Sequence, residues 1–193
     1  MSISENTEKG LDPRQVRSRR ALVEAGRDCL IRNPLASVSD IARHAGVGRA
    51  TMYRHFETRE DLIKEIGRVS LKDTADACAH IYADNLTGSK ALEAVFRAVV
   101  PLGERYYFLI AVWPHIEVDP EFRSTYADQL DRLRSMVDEA KDAGDIRAEL
   151  TTEWVVILFD NYLQAAWQML AHGVLSTEKV CDLAIDTFFT GVR

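Results

Sequence analysis

Residues 37–62 read SVSDIARHAGVGRATMYRHFETREDL, and this stretch decides the fold. Ser37-Val38-Ser39-Asp40 has the form of a capping box: the Ser37 hydroxyl accepts from the Asp40 N–H, and the Asp40 carboxylate accepts from the Ser37 N–H. The short helix so opened runs to about Ala45. Gly46 stands where the chain must turn with positive φ, which glycine adopts at little steric cost. Val47 then plugs the corner between two crossing helices. A second helix begins near Gly48 or Arg49 and ends near Phe56. Thr58-Arg59-Glu60-Asp61 is another capping box and opens a third helix. Two helices joined by a tight glycine turn, with a third in support, form a helix-turn-helix.

The second helix carries the chemistry. Val47, Met52 and Phe56 are spaced to face the protein, which leaves Arg49, Ala50, Thr51, Tyr53, Arg54 and His55 mostly outside. No carboxylate occurs between Ile41 and Glu57, whereas a merely solvated helix would mix acids with its bases. Arginine can fork onto guanine, threonine can meet base edges or a thymine methyl, and tyrosine and histidine can hold phosphates.

The run IARHAGVGRATMYRHFETREDL resembles the signature of the tetracycline-repressor (TetR) family of bacterial transcription regulators. Ile41, Ala42, Ala45, Gly46, Val47, Thr51, Tyr53, His55, Phe56, Glu60 and Leu62 fit its pattern. Two positions depart from it. Gly48 stands where the family usually has Ser or Thr, so the cap hydroxyl and one phosphate contact are missing; the stability cost of a glycine cap is only a few tenths of a kcal/mol. Arg59 replaces the commoner Lys and keeps the charge. The resemblance implies an all-α chain: a three-helix DNA-binding domain, then a helical ligand-binding and dimerisation domain. The expected boundaries are a disordered arm over 1–11, the DNA-binding domain over 12–66 and the second domain over 67–193.

Composition fits a regulator of this kind once the charge is divided. The chain of 193 residues carries a net charge of −6. Residues 14–59 hold ten arginines and four acids, a balance of +6, while residues 69–193 hold eleven bases and twenty acids, a balance of −9. One end can bind a polyanion and the other repels it, which orients the molecule on DNA and speeds encounter. No apolar run approaches the length of a membrane span, and MSISENTEKG lacks the apolar core of a signal peptide. Cys29, Cys78 and Cys181 match neither a disulfide framework nor a zinc site, as expected of a cytoplasmic chain with reduced thiols. There is no cofactor or metal motif, no Glu-x-x-His pair of a helical-bundle enzyme and no phosphate loop. An enzyme is therefore the disfavoured alternative.

The flanking chain reads as helices. Asp12-Pro13-Arg14-Gln15 opens one, with Leu22, Ala25, Gly26, Cys29 and Leu30 on its inner face, and Asn33-Pro34 ends it. Arg14 and Arg17 in its first turns are candidates for phosphate or minor-groove contact, alongside Ser37, Gly48 and Arg59. A long helix is expected from Thr58 to Ala83, a lever between the basic and acidic ends, followed by a loop over Asn85–Ser89. Ser89 caps the next helix, interrupted at Pro101 and Gly103. A short apolar helix, Tyr106 to Trp113, ends at Pro114. Asp119-Pro120 opens an amphipathic helix with Phe122, Tyr126, Leu130, Leu133 and Val137 inward, ended by Gly144. The helix from Thr152 to Ala171 is apolar on most sides and must be covered on most sides. The last runs from Ser176 to Thr190.

The resemblance implies how the last two helices are covered: they pair with their copies as a four-helix bundle. Trp154, Leu158, Ala166, Leu183, Thr187 and Phe188 are the expected interface, and the homodimer presents two reading helices to a palindromic duplex. It also implies a pocket for a small apolar or aromatic effector whose binding releases a repressor from its operator. The candidates for its walls are Cys78, Tyr82, Phe96, Tyr107, Phe108, Trp113, Met136, Phe159, Tyr162 and Trp167, with His80, His115, Asp160 and Asn161 as polar candidates. A DNA-binding dimer without a small-molecule effector, controlled by a protein partner or acting as an activator, is the alternative.

Overall fold

Helix propensity and capping chemistry account for most of the backbone. The computed structural model describes residues 13–193, and among these residues only helices and their connections occur. The arm expected over 1–11 and the cap expected at Asp12 lie outside the described residues. The order is α1 (Pro13–Arg32), α2 (Val38–His44), α3 (Arg49–His55), α4 (Arg59–Ala83), α5 (Gly88–Val99), a 3₁₀ turn (Val100–Leu102), α6 (Gly103–Tyr106), α7 (Leu109–Ile116), α8 (Pro120–Asp142), α9 (Thr152–His172) and α10 (Thr177–Val192). Two compact units divide between Gly67 and Arg68.

In the first unit both capping boxes form. The Asp40 N–H donates to Ser37 Oγ at 3.3 Å, and the Ser37 N–H donates to Asp40 Oδ2 at 3.1 Å. The Asp61 N–H reaches Thr58 Oγ1 at 3.0 Å, and the Thr58 N–H reaches Asp61 Oδ2 at 3.1 Å. α2 ends in a Schellman turn: Gly46 takes φ +68, the Val47 N–H bonds the Ala42 carbonyl at 3.0 Å and the Gly46 N–H bonds that of Arg43 at 3.1 Å. Leu22, Leu30, Ile41, Met52, Phe56, Leu62 and Ile63 are buried. α1 passes close over α4 at Gly26, where a Cβ would fall 2.8 Å from Leu62 Cδ2.

The second unit is built on an aromatic knot. The Phe96 and Phe159 rings lie 4.1 Å apart, and each meets the Phe188 ring edge-on at 5.4 Å. Tyr162 and Phe189 pack on Phe188 from two further sides. Phe188 is fully buried and Ala166 nearly so. Both were expected at a subunit interface, and that is corrected: each is buried in the core of its own chain.

Two local expectations are revised as well. α5 is not capped by Ser89, whose hydroxyl bonds the Asp145 carboxylate instead. The cap position is two residues earlier, at Thr87, and the helix opens at Gly88 with φ +56, where a Cβ would fall 3.4 Å from the Ala140 backbone and the N–H donates to Glu139 Oε2 at 3.0 Å. α7 does not end at Pro114; it continues to Ile116, losing one donor to the proline ring. Asp119 caps α8 as read, accepting the Phe122 N–H at 2.9 Å, and it also holds Arg68 of α4 at 2.6 Å.

Deleting the ring at the centre of the knot leaves a large cavity. Phe188→Ala is expected to lower the unfolding free energy by about 3–5 kcal/mol, read from the urea midpoint.

Candidate nucleic-acid interface and internal cavity

α3 turns Met52 and Phe56 into the first unit and leaves the rest of its surface open. Arg49, Ala50, Tyr53 and Arg54 are exposed, with Tyr53 half accessible at 51%, and Thr51 is half-buried. Gly48 is the N-cap with φ −71 and makes no side-chain cap bond, as its lack of a hydroxyl requires. Ser37 is exposed at the start of α2. Hydrogen bonds from the Ser37 hydroxyl and N–H hold the Asp40 carboxyl below the usual carboxylate range.

Two expected contact residues turn inward. The Arg59 guanidinium donates to the Ala36 carbonyl at 2.8 Å and to the Pro34 carbonyl, so it ties down the loop between α1 and α2 and does not project from the surface. His55 is half-buried, and its Nε2 is enclosed without a hydrogen-bond partner. Burial, then Arg54 and Arg19, hold its imidazole below the ordinary range, so it is neutral at pH 7 and is no phosphate-binding cation. Arg14 and Arg17 are exposed on the first turns of α1. Arg19, which belongs to the same basic run, is committed to the fold: it donates to the His55 carbonyl at 2.8 Å, pairs with Glu65 at 3.2 Å and stands over the Phe56 ring at 4.3 Å.

The second unit encloses a cavity of about 540 Å³ among α4, α5, α6, α7, α8 and α9. Cys78, Tyr82, Trp113, Met136, Phe159 and Trp167 line it as expected. Phe96, Tyr107, Phe108 and Tyr162 do not: Phe96 and Tyr162 belong to the aromatic knot, and Phe108 is buried elsewhere. Of the polar candidates only Asp160 reaches the cavity; His80, His115 and Asn161 are exposed. The walls also include Tyr106, Phe122, Tyr126, Gln129, Arg132 and Gln164, which the sequence reading did not select. Tyr126 had been placed on an inward face, so periodicity had found the side but not the void.

The polar wall is organised. Gln164 Nε2 donates to Asp160 Oδ2 at 2.7 Å, and Tyr126 also hydrogen-bonds Asp160. Gln129 Nε2 donates to the Leu71 carbonyl at 2.8 Å, and Tyr106 donates its hydroxyl to Asp73. Burial pushes Asp160 and Tyr126 up from their ordinary values and takes the Cys78 thiol to about 11, so this cysteine is protonated and unreactive at neutral pH. No group of three metal-ligating side chains is present among the described residues.

A third surface feature is apolar. On α9, Trp154 and Ile157 are 52% and 54% exposed, and on α10 Leu183 is 47% exposed. Leu158 beside them is half-buried, Thr187 is exposed, and Asn161, Ala165 and Gln168 continue the open stripe along α9 at helical spacing. No helix is long and apolar enough to cross a membrane.

Comparison with known proteins gives these features a setting. Residues 22–66 match the model of the bacterial regulatory proteins of the tetR family. The chain is 29% identical over 178 residues to the HTH-type transcriptional repressor LfrR of Mycolicibacterium smegmatis, covering 91% of this chain and 90% of that protein. Among solved structures it resembles the TetR-like regulator LfrR from Mycobacterium smegmatis in complex with proflavine, with a TM-score of 0.72, 25% identity and 93% and 98% of the two chains covered. It shares its fold with the ketosteroid transcriptional regulator KstR2 of Mycobacterium tuberculosis, with a TM-score of 0.75, 17% identity and 91% and 94% covered.

The two arginine environments predict opposite outcomes. Arg59→Ala removes charged donors from two backbone carbonyls and should lower the unfolding free energy by roughly 1.5–3 kcal/mol. Arg49→Ala should leave stability within about 0.5 kcal/mol while weakening DNA binding; denaturant titration and duplex binding together separate the roles.

Proposed function

We propose that the chain is a regulator of the TetR kind, which residues 22–66 and its likeness to LfrR support, and that it acts in the cytoplasm as a homodimeric repressor, released from a palindromic operator by a small apolar or aromatic molecule. The observation that carries this reading is the outer face of α3, on which Arg49, Thr51, Tyr53 and Arg54 stand with no carboxylate among them. Such a face suits a phosphate backbone and base edges and little else. Arg49, Thr51 and Arg54 are assigned to base edges and Tyr53 to a phosphate. Ser37, Gly48, Ala50, Arg14 and Arg17 border the same contact.

A seven-residue helix reads too few base pairs to be specific alone. Two copies about 34–36 Å apart enter successive major grooves. The open stripe of Trp154, Ile157, Leu158, Leu183 and Thr187 on α9 and α10 supports the pairing, because exposed apolar groups at helical spacing suit a self-complementary bundle. The enclosed cavity, and the proflavine held by a solved relative, favour a small-molecule effector over a purely structural second unit. The fold is thus put to regulatory rather than catalytic use.

Selection of bound sequences from random duplex DNA, at near-physiological salt, tests the reading. A palindrome with half-sites about one helical turn apart is expected; failure to enrich any sequence would remove sequence-specific recognition. On the selected site Tyr53→Phe should weaken binding by about three- to tenfold, nearly equally for all sequence variants. Thr51→Ala should relax preference at one position of each half-site. Trp154→Asp combined with Leu183→Asp should sediment as a monomer and bind the full palindrome poorly. A dimer of unchanged affinity would place the interface elsewhere.

A further inference from the structure

The cavity wall holds an acidic group that no cation pairs with among the described residues. Among the described residues that line it, only Arg132 and Asp160 are ionisable to a full charge at neutral pH. Arg132 is exposed and lies 4.9 Å over the ring of Tyr82, itself 40% exposed, so this cation sits in water at the rim. Asp160 interrupts the apolar sequence of α9 beside Phe159, and Leu163, Gln164 and Trp167 of the same helix line the cavity with it. Its hydrogen bonds come from neutral groups, Gln164 and Tyr126, and among the described residues no cationic side chain contributes to its environment. A carboxylate withdrawn from water without a cation is costly, and hydrogen bonds from an amide and a phenol offset only part of that cost.

The remaining walls complete the picture. Trp113 meets Tyr126 edge-on at 5.3 Å and Phe122 at 5.5 Å. Both indole N–H groups are already engaged, Trp113 with Glu117 at 2.9 Å and Trp167 with the Val99 carbonyl at 3.2 Å. These rings therefore offer π surface rather than donors, and a cation over such a surface is attracted by the ring quadrupole.

We propose that the cavity is built for a flat aromatic cation whose charge rests against the Asp160 carboxylate between the Tyr126 and Gln164 donors. This rests on the reading of the cavity as the effector site and adds the sign of the effector's charge. A neutral aromatic would fill the same volume and leave Asp160 uncompensated. An anion would have to anchor on Arg132 at the rim and bring like charge towards Asp160.

Three probes and one substitution decide the matter, with the full-length protein and tryptophan quenching as the signal. Proflavine is a cation at neutral pH; acridine has the same three fused rings and is neutral there; dodecanoate is an apolar anion. The wild type should bind proflavine about tenfold or more tightly than acridine. Asp160→Asn, nearly the same shape, should bring proflavine down to the affinity of acridine. It should leave acridine binding within about twofold, which also shows that the cavity has kept its form. Proflavine bound equally well by wild type and variant would overturn the charge assignment and leave an aromatic sensor site standing. Tighter binding of dodecanoate than of proflavine would overturn it in favour of Arg132 as the anchor. Absence of binding by all three would remove the effector reading of the cavity together with the inference.

Discussion

A helix of seven residues does not stand alone in water, and everything the chain can do to DNA depends on one such helix being ordered. α3 is too short for its own hydrogen bonds to repay nucleation, so its order is tertiary. Met52 and Phe56 bury themselves in the first unit, and Arg19 of α1 closes the far end. That one guanidinium caps the C-terminal carbonyl of α3, covers the Phe56 ring and pairs with Glu65 of α4. A cation at a helix C-terminus is favoured by the helix dipole as well as by the hydrogen bond. Arg59 performs the equivalent task on the loop before α2, through the carbonyls of Pro34 and Ala36. The basic character of the first unit therefore has two origins. Some arginines serve the fold, and those exposed on α3 are the ones assigned to a polyanion under the proposed function.

The cavity depends on a different constraint, the withdrawal of polar groups from water. Its wall at Trp167 shows how the backbone is arranged to meet it. Pro101 has no N–H, and the chain tightens into a 3₁₀ turn in which the Gly103 N–H bonds the Val100 carbonyl. The Val99 carbonyl is thereby left for the Trp167 indole. The indole can lie that close only because residue 103 is glycine; a Cβ there would fall 2.3 Å from Trp167 Cδ1. Pro101, Gly103 and Trp167 thus form one device that holds a large aromatic wall in place. A wall fixed in this way keeps a void open where side chains would otherwise collapse, with Asp160 on its edge bonded by the neutral groups of Gln164 and Tyr126.

What was legible in the sequence was local. The capping boxes at Ser37 and Thr58, the glycine turn at Gly46, and the Asp119-Pro120 start of α8 are all set by residues within one turn of each other, and all are found as read. Faces were legible too, since periodicity reports which side of a helix is apolar. Which neighbour covers a face is a non-local fact, and there the reading failed. Phe188 is apolar and on the inner side of α10, but the sequence does not say that Phe96 and Phe159 already fill the space against it. Arg59 fits the basic pattern of a DNA-facing residue, yet its partners are carbonyls more than twenty positions away, and a carbonyl leaves no mark on residue type. Gln129 and Gln164 were passed over for the same reason: an amide on an amphipathic helix looks solvent-facing until the void beside it is seen.

The same helix that is anchored by Arg59 carries Cys78 and Tyr82 into the cavity wall, so under the proposed function operator and effector would act on one element. Any coupling between them is reciprocal: an effector that weakens operator binding by some factor is itself bound more weakly, by the same factor, when the operator is present. A ligand that bound both states equally would shift nothing, however tightly it bound. The difference must therefore lie in a contact that the ligand alters. α8 supplies Phe122, Tyr126 and Gln129 to the cavity, and its N-cap, Asp119, holds Arg68 of α4 in a two-pronged ion pair at 2.6 and 3.1 Å. Asp119 is 6% exposed, so this pair is poorly screened, and separating it would deprive a buried carboxylate of that cation. A movement of α8 to admit a ligand must carry Arg68 with it or break that pair. Under the proposed function, α4 follows α8 wherever that pair is kept, and a typical coupling of about 1–3 kcal/mol lies within what an ion pair of this kind can transmit.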